Sequence, residues 1–381
     1  MTLTFDINNM KLTPNKVTID LSALVYNLSQ VKRLIDPKTK IMGIVKSDAY
    51  GHGLLRVSQL LEKNGVHSLG VAYIHEALKL RENGIKLPII VLCGITSRAD
   101  SEEVVNKSLT PVVYDLSSAE LLSKEAVRKG KRVNIHLKID TGMGRLGIPH
   151  GEAGPFMKKI MGLSGLNIEA LMSHLSSADE QDNNFTDNQI RNFKAAIDVC
   201  RSMGIDLPLN NLANSAGTMA HKEAHFNMVR PGIMLYGGLP SPGFRPPSPL
   251  KPVMGFSGQV LQIRDLPDKT PISYGRRYLT EGPKKIAVVS VGYGDGLPRS
   301  LSNMGKVIIR GKKIKIIGTI CMNMIICDIT GMGDPIPGDE AVLLGAQGDE
   351  VITGDDIAGL CNTISYEIFL SIGKNTNREY I

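Results

Sequence analysis

Tryptophan is absent from the 381-residue chain, and aromatic residues make up only 5% of it. With so few rings, the sequence offers no stacking platform for nucleic acid. No apolar run approaches membrane length, and the start from Met1 to Lys11 lacks the basic-then-apolar layout of an export signal. Internal repeats and low-complexity tracts are missing as well. The five cysteines (Cys93, Cys200, Cys321, Cys327, Cys361) are odd in number, dispersed and mostly in apolar contexts, with no metal-ligand spacing. That excludes a disulfide framework and points to reduced thiols in a cytoplasmic protein. What is present is ordinary globular composition, 42% apolar and 21% charged, enough to bury a full core. The net charge of +7 is spread along the chain, as suits an enzyme that handles anionic ligands. The length implies two domains, or one large barrel with an appendage.

Residues 1–15 read as a short polar extension. Val17–Asp20 reads as a strand, with Asp20 placed to cap an amphipathic segment over Leu21–Ile35. From Ile41 onward short apolar strands, small-residue turns and helical periods alternate. The expected strands are 41–45, 68–72, 87–92, 110–114, 133–139, 168–173, 211–213 and 228–236. Helical periods fall at 74–83, 117–129, 154–162 and 188–203, and another helix begins near Leu54. Such alternation favours a closed parallel barrel over an open doubly wound sheet. The proline- and glycine-rich stretch Gly237–Pro252 reads as a linker. Beyond it, β-branched runs alternate, with one short helix near Asp355–Cys361. The fold class is therefore α/β, an N-terminal (β/α)8 TIM-like barrel over 16–245 followed by a mostly β domain over 246–381.

Function in such barrels collects at the carboxyl ends of strands, and that is where this chain's chemically unusual residues fall. Lys46 ends the run Ile41–Val45 and is followed by Ser47-Asp48-Ala49-Tyr50-Gly51-His52-Gly53. A strand-end lysine either snorkels into solvent or, held in a dry site, has its pKa lowered and becomes a nucleophilic amine able to form a Schiff base. The segment His136–Gly147, carrying Lys138, Asp140 and Arg145, is either an anion-binding loop or a solvated turn. His174 closes the next strand, in a setting equally suited to a core histidine. Asn214-Ser215-Ala216-Gly217 and Arg230-Pro231-Gly232-Ile233 lie at strand-to-helix turns, where hydroxyl and backbone N–H groups can hold a phosphate.

The motif Val-Lys-Ser-Asp-Ala-Tyr-Gly-His-Gly around Lys46 resembles the lysine signature of the alanine racemase family. Lys138-Ile-Asp-Thr-Gly-Met-Gly-Arg145, Ile272-Ser-Tyr274-Gly-Arg276, Val291-Gly-Tyr293-Gly-Asp-Gly296 and Cys321-Met322-Asn323 resemble further family motifs, in order from about Val17 to Glu367. The resemblance implies a pyridoxal 5'-phosphate enzyme that interconverts L- and D-alanine, the latter for peptidoglycan, through two bases, Lys46 and Tyr274. It assigns Tyr50, Ser215, Gly232 and Ile233 to the phosphate and Arg230 to the ring nitrogen. His174 stands beside the tyrosine base, and Asn214 joins the cofactor set. Arg145, Met322 and Tyr293 face the substrate, and Lys138 is a candidate for carbamylation. It also implies a homodimer with shared sites, with no nucleic-acid or membrane partner. The chain departs from the family's usual pattern at Asn211, where a histidine is common, at Asn323, where an aspartate is common, and at Lys374, where many relatives carry a phosphate-binding tyrosine. These departures leave open a broader-specificity or serine racemase. A basic amino acid decarboxylase and a non-catalytic cofactor carrier on the same plan are the rival readings.

Overall fold

The computed structural model describes residues 13–372, 374 and 378–381, so most of the expected extension over 1–15 lies outside the described residues. The chain divides into two compact units, Leu21–Lys251 and Pro252–Ile381, the latter joined by the segment up to Asp20. The sequence places strand β1 (Lys16–Ile19) with the barrel that follows it. It belongs instead to the second unit, where it pairs antiparallel with β10 (Met254–Leu266) and parallel with β19 (Arg378–Tyr380).

In the first unit β2 (Lys40–Ile44), β3 (Ser68–Val71), β4 (Ile89–Val91), β5 (Thr110–Val113), β6 (Val133–Asp140) and β8 (Leu166–Met172) pair in parallel, each with the next. The short β7 (Ile148–Pro149) adds to β6, and β9 (Met228–Val229) pairs with β2. Single parallel bridges from Met172 to Asn211 and from Asn211 to Met228 join β8 to β9 and close the ring. Every residue of β3, β4 and β5 is buried, as expected of parallel strands covered on both faces. The expected strand 211–213 contracts to one bridging residue. The expected strand 228–236 stops at Val229, because Pro231 and Gly232 break the ladder and Ile233–Tyr236 forms a 3-10 turn.

Helices Leu54–Lys63, Ile74–Glu82, Leu116–Arg128, Ala153–Met161 and Asn184–Ser202 lie close to their expected places. Helix Arg98–Lys107 was not foreseen. It buries only Ser101, Val104 and Val105, too few apolar residues to show a period. Its start is set by a reciprocal cap, in which Ser97 Oγ accepts from Asp100 N while the Asp100 carboxylate accepts from Ser97 N.

Residues 237–253 carry neither helix nor strand. In the second unit β10, β13 (Lys284–Val289), β16 (Ile325–Asp328), β15 (Lys312–Ile317), β14 (Lys306–Ile309) and β17 (Glu340–Gln347) pair antiparallel in that order, and β17 returns to β10. The result is a closed β ring. The 13-residue β10 pairs with three strands, β1, β13 and β17, and its register shifts at bulges between Phe256 and Ser257 and between Val260 and Gln262. A second helix, Ser365–Ser371, follows the expected one at Gly354–Cys361. Among the described residues no helix is long and apolar enough to cross a membrane.

Asn27, fully buried on helix Leu21–Leu34, closes the first unit on itself. Its Nδ2 donates to Leu235 O and Lys251 O, and its Oδ1 accepts from Lys251 N. Asn27→Leu strands these backbone groups and should cost about 2–4 kcal/mol of stability. Chemical denaturation measures it, and a change below about 0.5 kcal/mol would show that the clasp is not needed.

Candidate active site

Strand β2 runs out at Ile44, and Lys46 follows after Val45. The next four residues, Ser47, Asp48, Ala49 and Tyr50, all lie in the left-handed region with φ of 54, 55, 53 and 55°. They make one turn of left-handed helix, with Ala49 N donating to Val45 O at 2.8 Å and Gly51 N to Ser47 O at 3.1 Å. Where the sequence showed only a small-residue turn, the backbone holds a conformation costing roughly 1–2 kcal/mol for each non-glycine residue. Side chains offset that cost. Asp48 Oδ1 accepts from Leu54 N at 2.7 Å and so opens the next helix. His52 Nδ1 lies 3.1 and 3.0 Å from the carbonyls of Ala49 and Tyr50, which places its proton on that nitrogen. The Tyr50 ring stacks on Tyr236 at 4.9 Å, and Tyr236 Oη donates to Ile44 O at 2.8 Å. Tyr236, not singled out from the sequence, thus ties the strand end to the turn.

Tyr50 faces the loop after β9. A Cβ built on Gly232 would fall 2.6 Å from Tyr50 Oη, so only glycine lets the hydroxyl approach this backbone. Ser215 Oγ accepts from Gly232 N at 2.8 Å and from Met234 N at 3.4 Å, and Ile233 opens the turn between them. Asn214 caps helix Ser215–Ala220 by accepting from Gly217 N at 2.9 Å, and its Nδ2 donates to Leu175 O. A phenol, a hydroxyl and a glycine backbone therefore meet at one point.

Arg230, 4% exposed, donates to Asn211 Oδ1 at 2.5 Å, Ser173 O at 2.6 Å, Leu212 O at 3.1 Å and His174 Nδ1 at 3.1 Å. Asn211, noticed in the sequence only as a departure, is its side-chain acceptor. On β6, Lys138 and Asp140 lie on one face of the strand. Asp140 is turned inward on its own loop, accepting from the N–H groups of Gly142, Met143 and Gly144, and so shapes the approach to the exposed Arg145.

Positive charge dominates this strand end. Burial and then Arg145 lower the Lys46 pKa, against smaller opposing effects of Cys93 and Glu76. Burial, Arg230 and Arg145 hold Lys138 well below its ordinary value. His174 is driven down by burial and by Arg230, Lys138, Arg145 and Lys46. Burial and Arg145 bring Arg230 down to about 9, which leaves it charged at neutral pH. A surplus of cationic groups around a half-buried amine suits an anionic ligand with a carbonyl. Pyridoxal 5'-phosphate is compatible with these residues, which offer an amine to meet an aldehyde and the Tyr50–Ser215–Gly232 cradle to take a phosphate. Among the described residues no cluster of His, Cys, Asp and Glu could hold a metal ion.

The remaining expected site residues lie in the second unit. Tyr274, Met322 and Tyr293 are 70%, 57% and 42% exposed, large for side chains of this kind. Their loops are laced together. Ser273 Oγ donates to Thr319 O, Thr319 Oγ1 to Tyr274 O, Tyr293 N to Cys321 O and Gly294 N to Met322 O. Lys374 is exposed in a turn after helix Ser365–Ser371, without a link to these loops among the described contacts.

Two family models match the chain, the alanine racemase N-terminal domain over residues 19–240 and the alanine racemase C-terminal domain over 253–380. An alanine racemase from Syntrophobacter fumaroxidans is 42% identical over 96% of this chain and 96% of its own. The structure of alanine racemase from Clostridium difficile superposes with a TM-score of 0.91 at 34% identity, covering 98% of this chain and 97% of that one. The alanine racemase from Bartonella henselae with covalently bound pyridoxal phosphate does so with a TM-score of 0.86 at 32% identity, over 96% and 99%. Both halves agree, in order and over nearly the full length, and the chain belongs to the alanine racemase family.

Proposed function

We propose that this chain interconverts L- and D-alanine with pyridoxal 5'-phosphate carried on Lys46. The observation that carries the reading is the depressed amine of Lys46 at a strand end, set among Arg145, Lys138, His174 and Arg230 with the Tyr50–Ser215–Gly232 cradle nearby. The match to alanine racemases, which are pyridoxal-phosphate enzymes, supports it. When bound, the cofactor supplies a conjugated system that spreads the negative charge left on Cα after its proton departs.

The chain's own residues do the rest. Lys46 Nζ takes or returns the α proton on one face of the substrate, and Tyr274 Oη serves the opposite face. One base must be protonated whenever the other is not, so each enantiomer meets its own base. Burial and Arg145 keep a neutral amine within reach at Lys46. Arg145 and Met322 orient the substrate carboxylate, and Tyr293 bounds the pocket. Arg230 keeps its own protons and leaves the ring nitrogen unprotonated, which weakens the electron sink and suppresses transamination. Lys138, its pKa driven down by burial and by Arg230 and Arg145, is the amine we assign to carbamylation. Alanine is the preferred substrate, and D-alanine for peptidoglycan is the product the cell draws on.

Two copies share each site in this reading, Lys46 from one and Tyr274 from its partner. The 70% exposure of Tyr274 supports a residue that works outside its own unit.

Chiral analysis of alanine incubated with the purified protein tests the activity. Lys46→Ala should lower turnover about 10²–10⁴-fold. Borohydride reduction should fix the cofactor's mass on the peptide bearing Lys46, and label on another lysine would overturn the assignment.

Mixing inactive Lys46→Ala with inactive Tyr274→Phe should restore about one quarter of wild-type sites after random subunit exchange, because one site in each mixed dimer regains both bases. No recovery despite exchange shown by mass would rule out sharing.

A further inference from the structure

Glu76 lies in the first turn of helix Ile74–Glu82 and is 6% exposed. Its carboxylate meets three backbone N–H groups. Oε2 accepts from Ala72 at 2.9 Å and Tyr73 at 3.4 Å, and Oε1 accepts from Ser47 at 2.6 Å. The first two contacts are those of an ordinary helix entry. The third reaches across to the residue after Lys46, the first of the left-handed turn.

We propose that Glu76 is a positioning residue for Lys46, holding the turn Ser47–Tyr50 in its left-handed form and so aiming the Lys46 amine. The first N–H of a helical turn has no partner within the turn, and Glu76 supplies it for Ser47. Four non-glycine residues in an unfavourable conformation persist only where their surroundings over-determine them. Here one anchor is a carboxylate fixed to a different strand–helix connection. The acceptor must be a carboxylate. All three partners are donors and both oxygens are used, whereas an amide has one acceptor oxygen and turns an NH₂ group on the remaining donors. The same carboxylate also acts on the amine electrostatically. Of the charged and titratable groups that act on Lys46, Arg145 depresses its pKa while Cys93 and Glu76 raise it. Removing the Glu76 charge therefore lowers it further.

The catalytic consequence rests on Lys46 carrying the cofactor, but the structural claim does not, and two readouts separate them. Hydrogen–deuterium exchange of the full-length protein should show peptides covering residues 44–53 exchanging about tenfold faster in Glu76→Gln, with helix Leu54–Lys63 unchanged. Glu76→Asp keeps both acceptor oxygens at shorter reach and should fall between the two. Reductive methylation of Lys46 across pH in the cofactor-free protein, read by mass, should show its midpoint moving down in Glu76→Gln. In the holoenzyme kcat should fall about tenfold with KM within about twofold, because Glu76 touches no substrate. Equal protection of residues 44–53 in wild type, Glu76→Asp and Glu76→Gln would overturn the proposal. Faster exchange with borohydride label on another lysine would uphold the anchor and refute Lys46 as the cofactor residue.

Discussion

Gathering several cationic groups from the ends of different strands into one half-buried site without a matching set of acids is the constraint on which the rest of the barrel depends. Each such charge raises the cost of the next, and an uncompensated buried charge is among the most destabilising features a fold can carry. The chain resolves this by dividing the groups. Lys46, Lys138 and His174 are pushed towards their neutral forms, while Arg230 keeps its charge. The division is also chemically useful, since a neutral amine is a nucleophile and a base whereas an arginine is neither. An anion entering this site neutralises charge the fold has left exposed to it, so binding and stability are linked.

Placing the amine requires a backbone solution that the local sequence does not favour. From Ser47 the chain winds one left-handed turn and starts its right-handed helix only at Leu54. The contacts holding that turn come from far along the chain, from Glu76, Tyr236 and Gly232. Strain is therefore stored locally and opposed globally, the usual arrangement at functional sites.

This explains what could be read in the sequence and what could not. Buried parallel strands are short runs of Val, Ile and Leu, so β3 and β5 were legible to within a residue. The positions of Lys46 and His174 just past the ends of their strands followed from the same pattern. Partners distant in sequence left no local trace. Nothing near Val17 announces pairing with Phe256, so β1 was assigned to the wrong unit. The run 228–236 looked continuous by composition, although Pro231 and Gly232 end it. Glu76 did carry a signal, an acid three residues after Tyr73 in a capping position, but that pattern gives no hint that its second oxygen reaches Ser47. Handedness of the turn was invisible, because Ser, Asp, Ala and Tyr have no common preference for it.

The surroundings of Arg230 show why neutral partners matter as much as charged ones. Its acceptors are an amide oxygen, two backbone carbonyls and an imidazole nitrogen, with no carboxylate among them. Because the guanidinium has only donors, His174 Nδ1 must be the accepting nitrogen, which puts the imidazole proton on Nε2. A protonated His174 would present a second donor and a second charge to Arg230, so the ring stays neutral, consistent with its depressed pKa. A carboxylate in place of Asn211 would hold the arginine equally well but cancel its field. An amide fixes the same geometry at 2.5 Å and leaves the positive potential intact. Position and charge at Arg230 are thus set by different atoms.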